Sequence, residues 1–93
     1  MSRDEMPSRT PRSEPISPQG LISFVCQNLI SKPESLKISE IPGSEEVVIE
    51  IRVDSDDVGK IIGKNGSVAR SIRTLVSAMG SRAGVNYVVE IVD

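Results

Sequence analysis

One segment limits the possible folds more than any other, Val58-Gly59-Lys60-Ile61-Ile62-Gly63-Lys64-Asn65-Gly66-Ser67-Val68. A short helical stretch runs into a four-residue turn whose outer members are glycines, and a second helical pattern starts directly after it. Asp54, Ser55, Asp56 and Asp57 precede the first helix as an N-cap cluster, placing carboxylates where the helix dipole favours them. The second helix, starting near Ser67, brings Val68, Ile72, Leu75, Val76 and Met79 to one side, while Arg70, Arg73 and Ser77 lie largely elsewhere. Gly80 and Gly84 bracket its end.

Strand patterns flank this helical pair. Val47, Ile49, Ile51 and Val53 alternate with Glu46, Glu50 and Arg52, a period of two that marks a strand with one buried face. Val48 breaks the polar side of that pattern and is expected to be partly covered. Val85, Tyr87, Val89 and Ile91 alternate with Asn86, Val88 and Glu90 to give a last strand. Upstream, Leu36 to Ile41 reads as a short strand, and Pro42-Gly43 supplies the turn that follows it. Before that, Leu21, Ile22, Val25, Cys26, Leu29 and Ile30 recur at helical steps, and Pro33 stops the helix. The expected order is α-β-β-α-α-β, an α+β fold with a three-stranded sheet packed on helices.

The chain has 93 residues, enough for one compact domain. Its only aromatic residues are Phe24 and Tyr87, so the core must be aliphatic, and a base-stacking aromatic platform is disfavoured. Residues 1–19 hold four prolines, at 7, 11, 15 and 18, and lack the apolar stretch of a signal peptide. They read as a disordered Pro/Ser-rich tail, with the folded domain over residues 20–93. The single cysteine, Cys26, and the absence of histidine exclude an internal disulfide and leave a zinc site without ligands. Cys26 lies among apolar residues and reads as a small buried hydrophobe. No apolar run reaches the roughly 18 residues of a membrane span. A cytoplasmic protein that needs no cofactor and has no membrane partner is the default expectation.

Net charge is −2, but its distribution says more than its sum. Residues 20–57 balance to −5, whereas residues 58–93 balance to +3. No acid occurs between Asp57 and Glu90, where Lys60, Lys64, Arg70, Arg73 and Arg82 all fall. Such a local positive field attracts phosphates even on a slightly acidic molecule.

The glycine-cornered turn suits the same purpose. Missing Cβ atoms at Gly63 and Gly66 let a sugar-phosphate backbone approach the main chain. The start of the second helix, near Ser67 and Val68, offers main-chain amides and a partial positive charge. Lys64 adds a mobile cation at the tip, and Asn65 tolerates a left-handed conformation and donates hydrogen bonds. Ile61, Ile62 and Val68 are expected to place an apolar floor beside the turn, against which bases rest. Lys60 and Arg70, one turn before and one turn after it, are further candidate phosphate contacts. Arg73 is a weaker candidate on the same face, and Arg82 reads as a helix-end charge.

Ile61-Ile62-Gly63-Lys64-Asn65-Gly66 resembles the (I/V)-I-G-x-x-G signature of KH domains, whose loop holds about four unpaired nucleotides. The element order is similar to the second KH topology, the one found in bacterial proteins. From about Gly20 to Asp93 the chain resembles the small bacterial single-KH proteins of the KhpA type, most closely in Asp57 to Lys64, Ala69 to Leu75 and Val88 to Asp93. The resemblance implies single-stranded RNA as partner and a role as post-transcriptional regulator or RNA chaperone. It also implies a homodimer, or a heterodimer with a larger KH-type RNA-binding protein. Residues 60, 62 to 67 and 70 are then the expected RNA contacts. Many KH signatures carry a large aliphatic where this chain has Ala69, and the segment before Gly20 lies outside the resemblance.

Two rival readings follow from the same residues. Gly59 to Lys64 superficially looks like a nucleotide-binding P-loop, but only three residues separate Gly59 from Gly63, and Asn65 rather than Ser or Thr follows Lys64. With no histidine and no paired carboxylates beside a pocket, an enzyme is not expected. The other rival is a protein-interaction or dimerisation module with little RNA binding of its own.

Overall fold

The computed structural model describes residues 16–93. Of the tail expected over 1–19, residues 1–15 lie outside the described residues. Helix α1 (Pro18–Gln27) starts two residues before Gly20, because Ser17 caps it by accepting the Gly20 N–H at 3.0 Å and Pro18 supplies a preset first turn. It ends well before Pro33, where Asn28 donates its side-chain amide to the Phe24 carbonyl at 2.6 Å. Leu29 therefore lies beyond the helix and is partly exposed.

Strands β1 (Lys37–Pro42) and β2 (Val47–Arg52) pair antiparallel, with Ile38 opposite Ile51. Helices α2 (Val58–Ile62) and α3 (Ser67–Ala83) then carry the chain over to β3 (Tyr87–Val92). Strand β3 pairs parallel to β2, with Ile49 opposite Val89, so the sheet order is β1-β2-β3. The order read from the sequence, α-β-β-α-α-β, is the order observed.

The core is aliphatic, as the aromatic-poor composition requires. Ile22 and Cys26 from α1, Ile49 and Ile51 from β2, Val53 directly after β2, Ile61 from α2, Ile72 and Val76 from α3, and Val89 from β3 form one buried cluster. Phe24 is 69% exposed, and Tyr87 is only partly buried against the cluster. Along α3 the buried positions are Ala69, Ile72, Val76 and Gly80, an i, i+3, i+4 stripe. Leu75 falls outside it and is 50% exposed, against the expectation from its apolar character. Gly80 lies inside the helix rather than at its end: a Cβ there would collide with the Val85 carbonyl and the Tyr87 ring. Gly84 is the actual cap, with the left-handed backbone common after a helix.

Candidate nucleic-acid interface

The two helices meet at a tight loop, and its two glycines do different jobs. Gly63 ends α2 with φ 79° and ψ 170°, and its N–H bonds the Gly59 carbonyl at 2.8 Å. A Cβ at Gly63 would stand 2.8 Å from the Val68 nitrogen and 2.9 Å from the Val68 Cβ. The empty corner at Gly63 thus faces the chain's own α3, not solvent. Gly66, with φ 77° and ψ 13°, is different: the nearest atom to a Cβ there is Arg70 Nη1 at 3.5 Å, the end of a long side chain. Only one of the two corners opens outward.

Between them the tip is exposed at Lys64 and Asn65. Asn65 adopts the left-handed conformation expected of it, with φ 56° and ψ 26°. The Gly66 N–H closes the turn onto the Gly63 carbonyl at 3.1 Å. Ser67, expected to offer a free amide, instead donates its N–H to the Lys64 carbonyl, while its side chain is exposed. Lys64 and Asn65 open the single turn that follows Gly63, so theirs are the first-turn N–H groups that such a turn does not pair internally, and no side chain caps them. The free donors thus sit at the tip rather than at Ser67.

The three cations near the loop are not equivalent. Arg70 reaches back one turn and donates from Nη1 to the Asn65 carbonyl at 3.1 Å, which braces the left-handed residue and keeps a guanidinium beside the tip. Lys64 makes no ion pair with any described residue. Lys60 is committed elsewhere, with its Nζ 3.0 Å from Asp57 Oδ1. Further along α3, Arg73 donates from Nε to the Val89 carbonyl at 3.4 Å, on the free edge of β3. An open depression of about 420 Å³, lined by Arg70, Ser71, Thr74 and Leu75, follows α3 away from the loop.

Asp57 is the residue that sequence reasoning misassigned. The cap of this turn is Asp54, which accepts the Asp56 N–H at 2.9 Å. The side chain of Asp57 is fully buried and accepts the Ser31 N–H at 2.9 Å, the Ser31 hydroxyl at 2.8 Å and the Lys32 N–H at 3.0 Å. The Ser31 main-chain N–H above all, with Lys60, the Ser31 hydroxyl and the Lys32 N–H, outweighs burial and holds this carboxyl far below the usual carboxylate range. Asp57 thus ties the start of α2, and with it the loop, to the segment after α1. No local signal marks this, because the partners lie 25 and 26 residues away.

Of the Ile61-Ile62 pair, Ile61 is buried in the core and Ile62 is 39% exposed at the end of α2. The structure therefore brings Ile62, Gly63, Lys64, Asn65, Gly66, Ser67 and Arg70 together around the loop, and leaves the Lys60 ammonium on Asp57.

The sequence model of the family described as "KhpA/KhpB, KH domain" matches residues 19–91. The chain is 38% identical over 72 residues to the RNA-binding protein KhpA of Clostridium perfringens, covering 77% of this chain and 96% of that protein. It is 40% identical over 73 residues to the RNA-binding protein KhpA of Borreliella burgdorferi, covering 78% and 89%. Against the RNA-binding protein KhpA of Aquifex aeolicus the figures are 37% over 73 residues, 78% and 92%. With this topology, this loop and matches of that extent, the chain belongs to the KhpA/KhpB family of KH-domain proteins.

Proposed function

We propose that this chain binds single-stranded RNA, holding the sugar-phosphate backbone at Gly63-Lys64-Asn65-Gly66. The observation that carries the reading is the tip itself, where two exposed residues present uncapped first-turn main-chain N–H groups beside a lysine with no carboxylate among the described residues. Phosphate oxygens accept from the Lys64 and Asn65 amides and from the Lys64 ammonium, a set of charge-assisted bonds that needs no cofactor. Arg70 adds a second cation, and Gly66 leaves room for a ribose. Ser67 donates from its hydroxyl, and Ile62 gives bases an apolar edge to rest on. Lys60 contributes through Asp57, by fixing the helix that presents the loop. The relatives' name, RNA-binding protein, supports the same ligand.

With so few phosphate contacts, affinity is modest and falls gently with salt, about one to three ions rather than six to ten. A double variant, Lys64→Asp with Asn65→Asp, tests this by fluorescence anisotropy with a short unstructured oligoribonucleotide. The expected result is an unchanged fold and RNA affinity lowered at least several-fold. Unchanged affinity in the folded variant would move the activity away from the loop.

A second role, pairing with a second copy or with a larger KH-type protein, is favoured by Leu75, half-exposed on α3. The loop stays free in such a pair, so the two roles coexist. A post-transcriptional regulator or RNA chaperone of the cytoplasm fits both. Among the described residues no helix is long and apolar enough to cross a membrane.

A further inference from the structure

The alternation of β2 and β3 is imperfect, and strand register gives the imperfection a shape. Ile41 opposes Val48 across β1–β2, and Val48 opposes Val88 across β2–β3. Strand side chains alternate between faces, so these three form one row on the face opposite Ile49 and Val89. Ile41 is 48% exposed, and Val48 and Val88 are half-buried. None of the three packs against the core cluster. The row is an aliphatic stripe on the sheet's outer face.

Acids border it on both sides. One strand position along lies the row Ser39, Glu50 and Glu90, and on the other side the β1–β2 turn carries the exposed Glu45 and Glu46. Among the described residues Glu45, Glu46 and Glu90 have no ion-pair partner. Glu50 shares its charge with Arg52 at 3.5 Å, and Arg52 also donates to the Asp93 carbonyl at 2.9 Å. Lys37 lies beyond the acidic row, beside Arg52.

This pattern selects among occupants. A polyanion such as RNA is repelled by the acidic borders. A second copy laid stripe on stripe brings acid against acid, whether the two-fold axis runs along the strands or across them. A helix laid across the strands fits in length, because its pitch of about 5.4 Å approximates the strand spacing of about 4.8 Å. We propose that this face docks a basic amphipathic segment of a partner protein. Its aliphatic side chains cover Ile41, Val48 and Val88, and lysines or arginines flanking them meet Glu45, Glu46 and Glu90. The molecule then works from two sides, with nucleic acid at the cationic loop and a protein on the acidic-bordered sheet.

The test uses the full isotopically labelled chain and a synthetic helical peptide carrying leucines at i, i+4 and i+7 flanked by lysines. Two control peptides replace the lysines by glutamate or the leucines by serine. Expected are amide shifts centred on Ile41, Val48, Val88 and Glu90, and at least ten-fold weaker binding by both controls. An Ile41→Ser/Val88→Thr variant should lose the peptide equally while retaining RNA binding, which shows that it folds. Equal binding by that variant, or shifts centred on Leu75, would overturn the proposal. So would perturbation of the same amides on removing residues 1–15, or on raising protein concentration without peptide, since the occupant would then be the chain itself or a second copy.

Discussion

Replacing Gly63 by alanine and, separately, Gly66 by alanine separates what each corner of the loop does. At Gly63 the backbone sits at φ 79° and ψ 170°, a region open essentially to glycine alone. The new methyl also meets Val68 main chain and side chain, at 2.8 Å from its nitrogen and 2.9 Å from its Cβ, atoms that cannot swing away. Backbone strain of about 1–3 kcal/mol and overpacking of about 1–3 kcal/mol add to a cost of roughly 2–6 kcal/mol. At Gly66 the backbone is ordinary left-handed, φ 77° and ψ 13°, which costs about 1–2 kcal/mol for an L-residue. The nearest atom is Arg70 Nη1 at 3.5 Å, which is ordinary contact. At about 4–8 °C per kcal/mol for a domain of this size, Gly63→Ala melts at least about 8 °C lower than wild type and below Gly66→Ala. Urea and thermal unfolding followed by far-ultraviolet circular dichroism measure both. Equal losses, or a Gly63→Ala protein as stable as wild type, would refute the argument that this corner is closed by α3.

Three other outcomes follow from side-chain positions. Lys64→Gln should lower RNA affinity several-fold at unchanged stability, whereas Lys60→Gln should lower stability and leave affinity within about two-fold; anisotropy and thermal melts on both variants check the pair. Asp57 has a lowered folded-state pKa, so its contribution is complete above the unfolded-state value near ~4 and is lost as pH falls below it. Melting curves between pH 7 and pH 3 should therefore fall less steeply for Asp57→Asn, itself destabilised at neutral pH, than for wild type. Burial pushes the Cys26 thiol up to about 11. A thiol reagent at pH 8 should leave the folded protein unmodified and react once urea is added; reaction under native conditions would contradict the buried placement.

Much of the fold was legible because its signals are local. Period-two alternation from Val47 to Val53 needs no partner to be read, and neither does the helix–glycine–helix pattern around Gly63 and Gly66. What escaped depends on distant residues. Asp57 reads as one more acid in a capping cluster until Ser31 and Lys32 are seen to enclose it. Lys60 reads as a free cation until that carboxylate is found beneath it. Leu75 is apolar and near the core stripe, yet the stripe is centred on Ala69, Ile72, Val76 and Gly80, and only packing reveals that centre. Gly63 shows the same limit: sequence marks a special backbone there, but not which side of it is occupied.

The central claim is that a polynucleotide settles on the two uncommitted amides at the loop tip. Titrating the labelled protein with a short unstructured oligoribonucleotide, and following every backbone amide, tests it most directly. The account predicts that the Lys64 and Asn65 amides shift most, with smaller changes at Gly66, Ser67 and Arg70. Shifts confined to the open face of the sheet or to α1, with the tip unmoved, would contradict it.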